Sequence, residues 1–291
     1  MSATTLLPLQ QDSIVVRFGR WLRRDIRGAL SLAFLLLLIV VALLAPWIAP
    51  YSPTEQDYAN MLAEPSARHW LGTDDLGRDV FSRLIHGTAS SLYAAFLAVG
   101  VAVLVGVPVG LVAGFMGGWV DLAISRCIDT LLSFPAIVLA VAVTGAMGIG
   151  LTNAMLAVGL VFSPQLARLV RARTLVVRQE LYVDAARCFG ASLPRLLLKH
   201  VLPNAIQPVL VQATLLLAVA LLAEASLNFL GLGVQPPDVS WGMMIARGYM
   251  YMEIAPAQMY VPGLAILLTA IAFNTLGESL RVALDPTLRG R

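Results

Sequence analysis

The chain has 291 residues, of which 58% are hydrophobic and only 13% charged, and its net charge is +3. Soluble domains carry about 25% charged residues, so this chain cannot cover its surface toward water as a soluble protein does. Its pI near 9.1 does not mark a nucleic-acid binder, because the arginines flank apolar runs and do not cluster with stacking aromatics.

A helix crossing a hydrocarbon core of about 30 Å needs about 20 apolar residues. An arginine-rich segment (residues 1–28) precedes the first apolar run, 29–49, which is long enough to span and lacks a small-residue cleavage pattern, so it reads as a retained helix rather than a signal peptide. A polar loop over about 51–90 follows, with Glu55, Asp57, Glu64, Asp74, Asp75 and Asp79 beside Arg68, Arg78 and Arg83. The second run, 91–115, carries Gly106, Gly110 and Gly114, with Gly118 just beyond. This tandem four-residue spacing suits close helix packing in lipid, although glycine is also common background in membrane helices.

The third run, 123–147, contains Pro135, and Pro108 lies in the second; both offer local breaks in helix hydrogen bonding. Arg126 and Asp129, three apart, are expected to pair on one face. The fourth run, 151–170, is the weakest, since its apolar part covers only about 24 Å at 1.5 Å per residue, and Arg168 is expected to snorkel at its end.

A basic, helix-prone connection leads to the fifth run, 201–230, and a loop over about 231–258 leads to the sixth, 259–280, before the tail 281–291. Glu224 in the fifth run, Asn228 one turn on, and Pro135 are candidates for a solute path or a partner interface, with an interface-snorkelling role left open for Glu224.

With the N-terminus inside, sixteen of the twenty Arg and Lys fall on the inner side, leaving Arg68, Arg78, Arg83 and Arg247 outside. The expectation is an all-α integral membrane protein with six transmembrane helices, residing in the cell (inner or plasma) membrane with both termini cytoplasmic. Cys127 and Cys188 are expected as free thiols. His69, His86 and His200 are scattered, and neither a metal site nor a catalytic site is expected.

The most informative stretch is VDAARCFGASLPRLLLKHVLPN, residues 183–204. It reads as a short cytoplasmic helix over about 183–193 followed by re-entry into the membrane. Ala186 and Gly190, four apart and adjoined by Ala185, would share a face of minimal side chains that another protein could approach closely. An amphipathic connector packed on its own bundle fits the same pattern.

Asp184-Ala185-Ala186, then Gly190, then His200, Leu202 and Pro203 at the spacing seen here resembles the EAA signature of ABC importer permeases, with Asp184 where Glu is usual. HWLGTDDLGRDVFSRLIHGTASSL (69–92), EASLNFLGLGVQPPDVSWGMM (224–244) and ALDPTLRGR (283–291) are similar to the C-type subunit of the dipeptide, oligopeptide and nickel branch.

The resemblance implies a type I ABC importer permease fold over residues 29–280, with 183–193 as the coupling helix. It implies peptide as solute, with nickel chelates or glutathione as alternatives. The implied partners are a homologous B-type permease, ABC ATPase subunits at the cytoplasmic face, an extracytoplasmic solute-binding protein and membrane lipid, without nucleic acid. The sequence has no GxxxxGK[ST] loop around its one lysine, Lys199, so no cofactor is expected in this chain; ATP and Mg would be bound by the partner ATPase. An intramembrane enzyme or a gradient-driven transporter is the competing class. The chain shows no GxSxG or HExxH pattern for the first, and no internal repeat with midplane ionisable residues for the second.

Overall fold

A computed structural model describes residues 25–284. The arginines expected inside at 17, 20, 23, 24, 289 and 291, and the tail motif beyond Leu284, lie outside the described residues. Regular structure among the described residues is helical, with one isolated bridge between Thr73 and Asp79.

In chain order the main helices are α1 Ile26–Ile48, α2 Val80–Met116, α3 Gly118–Leu132, α4 Ala136–Met147, α5 Leu151–Val177, α6 Leu181–Cys188, α7 Gln207–Phe229, α8 Trp241–Gly248 and α9 Ala257–Leu284. Five of them are long and apolar enough to cross a membrane, and α3 with α4, bent by 95° at their break, would make a sixth if the pair is counted as one span. Five of the six expected spans therefore appear as continuous helices, and the third falls on the bent pair.

The break falls where Ser133 ends α3 and Pro135 opens α4, with no close neighbour to hold the chain straight; residues 131–138 are all exposed. Pro108 behaves differently. Helix α2 continues through it from Val80 to Met116. At 37 residues α2 is about 55 Å long, well beyond a hydrocarbon core of about 30 Å, and its first turns stand beside residues 51–79.

Helix α5 also outruns its expected span. It continues to Val177, and Arg168 does not snorkel at its end but lies nine residues before it. Helices α2 and α5 run parallel and form the central contact of the molecule. A Cβ on Gly106 would sit 2.6 Å from the Ser163 carbonyl oxygen, on Gly110 2.4 Å from that of Ala167, and on Gly114 2.7 Å from that of Arg171. Backbone approaches backbone so closely that no side chain fits, and in lipid such packing is what holds helices together.

The fourth glycine of this seam is not Gly118. That residue meets nothing within 4 Å, and its place is taken by Gly159 of α5, whose Cβ would lie 2.6 Å from the Ala98 carbonyl oxygen. Helix α7 lies against α2, α5 and α9, while α1 rests on α2 and α9 at the edge. Ser279 of α9 donates a hydrogen bond to Asp25, the residue capping α1; that bond holds the Asp25 carboxyl below its ordinary value.

Candidate functional site

Helix α6 is amphipathic. Val183 is fully buried and Ala186 half-buried on one side, both in the main apolar core that also takes in Val177, Leu196, Val201 and Ala205. Leu181, Asp184, Ala185 and Cys188 recur at helical spacing on the other side and are all exposed. The expected small face is therefore redrawn: Ala186 packs inward on the protein's own bundle, and Ala185 with Cys188 faces out.

Gly190 does not lie on the helix at all. Its φ is +77°, and Ala191 N–H donates to the Ala186 carbonyl at 3.1 Å while Gly190 N–H donates to that of Arg187 at 3.0 Å. This pair of bonds is a Schellman cap, in which the left-handed position favours glycine. Phe189, just before it, is 91% exposed, and Leu181 at the other end is 86% exposed. Two large apolar side chains thus stand out from α6, on either side of the exposed Ala185 and Cys188.

Three contacts set the pose of α6. The Arg187 guanidinium sits over the Phe115 ring at 5.7 Å, joining α6 to the inner end of α2. Arg178, in the turn before α6, donates to the Gly114 carbonyl at 3.0 Å, satisfying a last-turn acceptor of α2. Asn204 donates to the Tyr182 hydroxyl at 2.9 Å and to the His200 carbonyl at 3.0 Å. Partial burial, then the Glu180 charge, pushes the Tyr182 phenol up, so its hydroxyl stays protonated and donates to the His200 carbonyl.

His200 and Leu202 are half-buried and Pro203 exposed, in a helical return over residues 193–205 that carries a π-helical stretch, Leu196–Val201. Asp184 makes an exposed pair with Arg187 at 3.5 Å, worth little by itself. The seam glycines position α6 indirectly by fixing α5 against α2.

Glu224 and Asn228, expected at the path or partner interface, are instead buried inside this chain. Glu224 Oε1 accepts from Ser240 Oγ at 2.6 Å and from Asn228 Nδ2 at 2.5 Å, and Asn228 Oδ1 accepts from Val234 N–H at 2.9 Å. Ser240 also caps α8, accepting from Met243 N–H at 3.1 Å. The cluster pins the outer loop and the start of α8 onto α7. Trp241 completes the anchor, donating from its backbone to Ser91 Oγ and from its indole to the Leu84 carbonyl, each at 3.0 Å.

The pair expected between Arg126 and Asp129 does not form; Asp129 binds Arg168 at 2.5 Å. Nearer the inner surface, Arg171 donates from Nη2 to Asp121 at 2.7 Å. Pro135 is exposed at the α3–α4 break. Sequence spacing gave no sign of the Arg178 cap or of the Arg187–Phe115 contact; for Gly159 the one available signal was a glycine within the fourth apolar run.

Residues 106–290 match the family described as binding-protein-dependent transport system inner membrane component, and residues 16–65 match the N-terminal transmembrane domain of oligopeptide transport permease C. The chain is 46% identical to the glutathione transport system permease protein GsiD of Shigella flexneri serotype 5b, over 94% of this chain and 90% of the relative. The protein of the same name from Shigella sonnei is 44% identical over the same shares. Among solved structures, an inward-facing MetNI methionine ABC transporter superposes with a TM-score of 0.56 at 20% identity, covering 70% of this chain and 97% of that one. At that identity the likeness speaks for the fold.

Proposed function

Because this chain belongs to the family of binding-protein-dependent transport system inner membrane components and is a permease subunit of an ABC importer, we propose that it is the C-type half of a pathway for short peptides, driven by a separate ATPase seated on α6. The observation that carries the coupling reading is the outward face of α6, where Leu181 and Phe189 stand exposed beside Ala185 and Cys188. Large apolar side chains in water at the end of a rigid helix are the makings of an interface centre.

The C-type assignment is supported by the match of residues 16–65 to oligopeptide permease C. Glutathione, named in the relatives' titles of function, is itself a tripeptide and is the first solute to offer. The second permease would be a homologous B-type subunit, and a solute-binding protein would deliver cargo at the outer side. ATP and Mg would be held by the ATPase, with this chain supplying no catalytic residue.

ATP-dependent conformational change needs only that α6 meet two ATPase states with different contacts, since differential binding is what shifts an equilibrium. The chain would lie in the inner membrane with both termini cytoplasmic. Cysteines at Gly118 and Arg178 should then react only from the cytoplasmic side, and those at Asp57 and Asp238 only from outside.

The deciding experiment reconstitutes the chain with its partner permease, ATPase and binding protein, and measures uptake of glutathione and of dipeptides. Uptake should require ATP and the binding protein. Uptake by this chain alone on a proton gradient would replace the reading with a secondary transporter.

A further inference from the structure

Between α3 and α5 lies an open pocket of about 390 Å³ whose lining includes Leu122, Ser125, Arg126, Asp129, Arg168 and Arg171. That size falls in the ordinary range for small-molecule sites. Its charged groups are held differently. Arg171 is tied to Asp121 through two guanidinium nitrogens. Among the described residues Asp129 and Arg168 form an ion pair with each other, and their side chains are 52% and 57% exposed. Among the described residues Arg126 makes no ion pair.

The seam fixes the depth of this cavity. Gly106 packs against Ser163 to Ala167 and Gly110 against Ala167 to Arg171, so Arg168 lies near the level of Pro108. Helix α2 continues eight residues further, to Met116, about 12 Å at 1.5 Å per residue. With α2 ending at the inner surface, as the permease reading has it, the exposed Asp129–Arg168 pair stands within the inner half of a hydrocarbon core of about 30 Å. Charges at such depth face a bundle interior or a wet cavity rather than lipid.

Resting on the peptide-permease reading, we propose that this cavity is a charge-selective station on the inner half of the solute path, built for a zwitterionic peptide with more carboxylates than ammonium groups. The solute's ammonium engages Asp129, and its carboxylates engage Arg168 and Arg126. When the cavity is empty, Asp129 and Arg168 neutralise one another. An arriving zwitterion exchanges partners with them, so neither Asp129 nor Arg168 is left unpaired at a depth where that is costly. Arg126 is the surplus. Three arginines (126, 168, 171) against two aspartates (121, 129) leave one positive charge, so the third charged group the cavity accepts is an anion.

The test uses the complete complex in vesicles and three probes: alanyl-glutamate, alanyl-alanine and N-acetyl-alanyl-alanine. Rates are read as ratios between probes, which cancels differences in protein yield. Arg126→Gln should lower alanyl-glutamate uptake relative to alanyl-alanine by about tenfold, the loss of one charge-assisted contact. Asp129→Asn should shift the ratio of N-acetyl-alanyl-alanine to alanyl-alanine about tenfold toward the peptide lacking an ammonium.

Unchanged ratios in both variants would make Asp129–Arg168 a structural pair and overturn the proposal. The same assay runs in phosphatidylcholine vesicles with and without phosphatidylglycerol. If Arg126→Gln removes a dependence on phosphatidylglycerol and leaves the ratios alone, the cavity holds a lipid headgroup and the proposal is wrong. If the unaltered complex takes up none of the three probes with ATP, the peptide-permease reading itself fails; uptake with unchanged ratios sinks only this inference.

Discussion

Where α2 meets α5, a Cβ on Gly110 would lie 2.4 Å from the Ala167 carbonyl oxygen; at the end of α6, a Cβ on Gly190 would meet nothing within 4 Å. The two glycines occupy opposite kinds of place. One lets two backbones touch inside the membrane, where packing between helices has no water-driven help. The other lets the chain turn at φ +77° on a surface left open. A glycine in a motif thus reports either a neighbour or a backbone angle, and the seam and the open end of α6 divide cleanly on that distinction.

The largest expected break is Gly110→Leu. A backbone oxygen, which cannot rotate aside, stands in the way, so the seam must open. Overpacking costs about 1–3 kcal/mol where a core can give, and this one can give little. Loss of the monodisperse peak in detergent size-exclusion is the expected outcome; a normal peak would show that α2 and α5 slide freely.

Next comes the open surface, where Leu181→Asp with Phe189→Asp should leave that peak intact and abolish copurification of the ATPase. Interface centres lose about 2 kcal/mol or more per hot residue. Full copurification would move the ATPase contact away from α6.

Smaller and more discriminating is the series at Gly190. If the backbone angle is what matters, Gly190→Ala should lower ATPase stimulation about as much as Gly190→Trp, since the left-handed conformation costs about 1–2 kcal/mol for either, and Gly190→Asn should lie nearest the native value. If alanine is silent and tryptophan is not, bulk at the interface is the cause. Smallest of all, Gly118→Ala should cost no more than about 1–2 kcal/mol from its φ of +56° and leave the size-exclusion peak unchanged, unlike any substitution at Gly110.

Apolar runs and the placement of arginines made the spans legible in the sequence, because lipid imposes its length on the chain directly. Proline was legible only as a possibility. Pro108 and Pro135 look alike in sequence, yet the first is held between seam glycines at 106 and 110 and stays helical, while the second has no close neighbour and opens a 95° bend. Asp129 illustrates what spacing misses. Arg126 is three residues away, but the partner is Arg168, brought close only when α3 lies against α5. Glu224 was recognisable as a costly residue to bury, while its use depends on Ser240, sixteen residues later and across a loop. The coupling motif located α6 but not its outward face, since the split of Ala185 from Ala186 follows from which side Val183 finds a core.

The bond between Ser279 and Asp25 joins residues 254 positions apart, near opposite ends of the described chain. At a synthesis rate of about 5–20 residues per second, roughly 10–50 s separate the making of the two. Throughout that interval α1 lies in the bilayer with one of its two flanks bare, waiting for α9. Its near-uninterrupted apolar sequence, in which only 17% of the spanning window is buried even at the end, suits it to that wait: among the described helices, the first made is one that gains its second neighbour last.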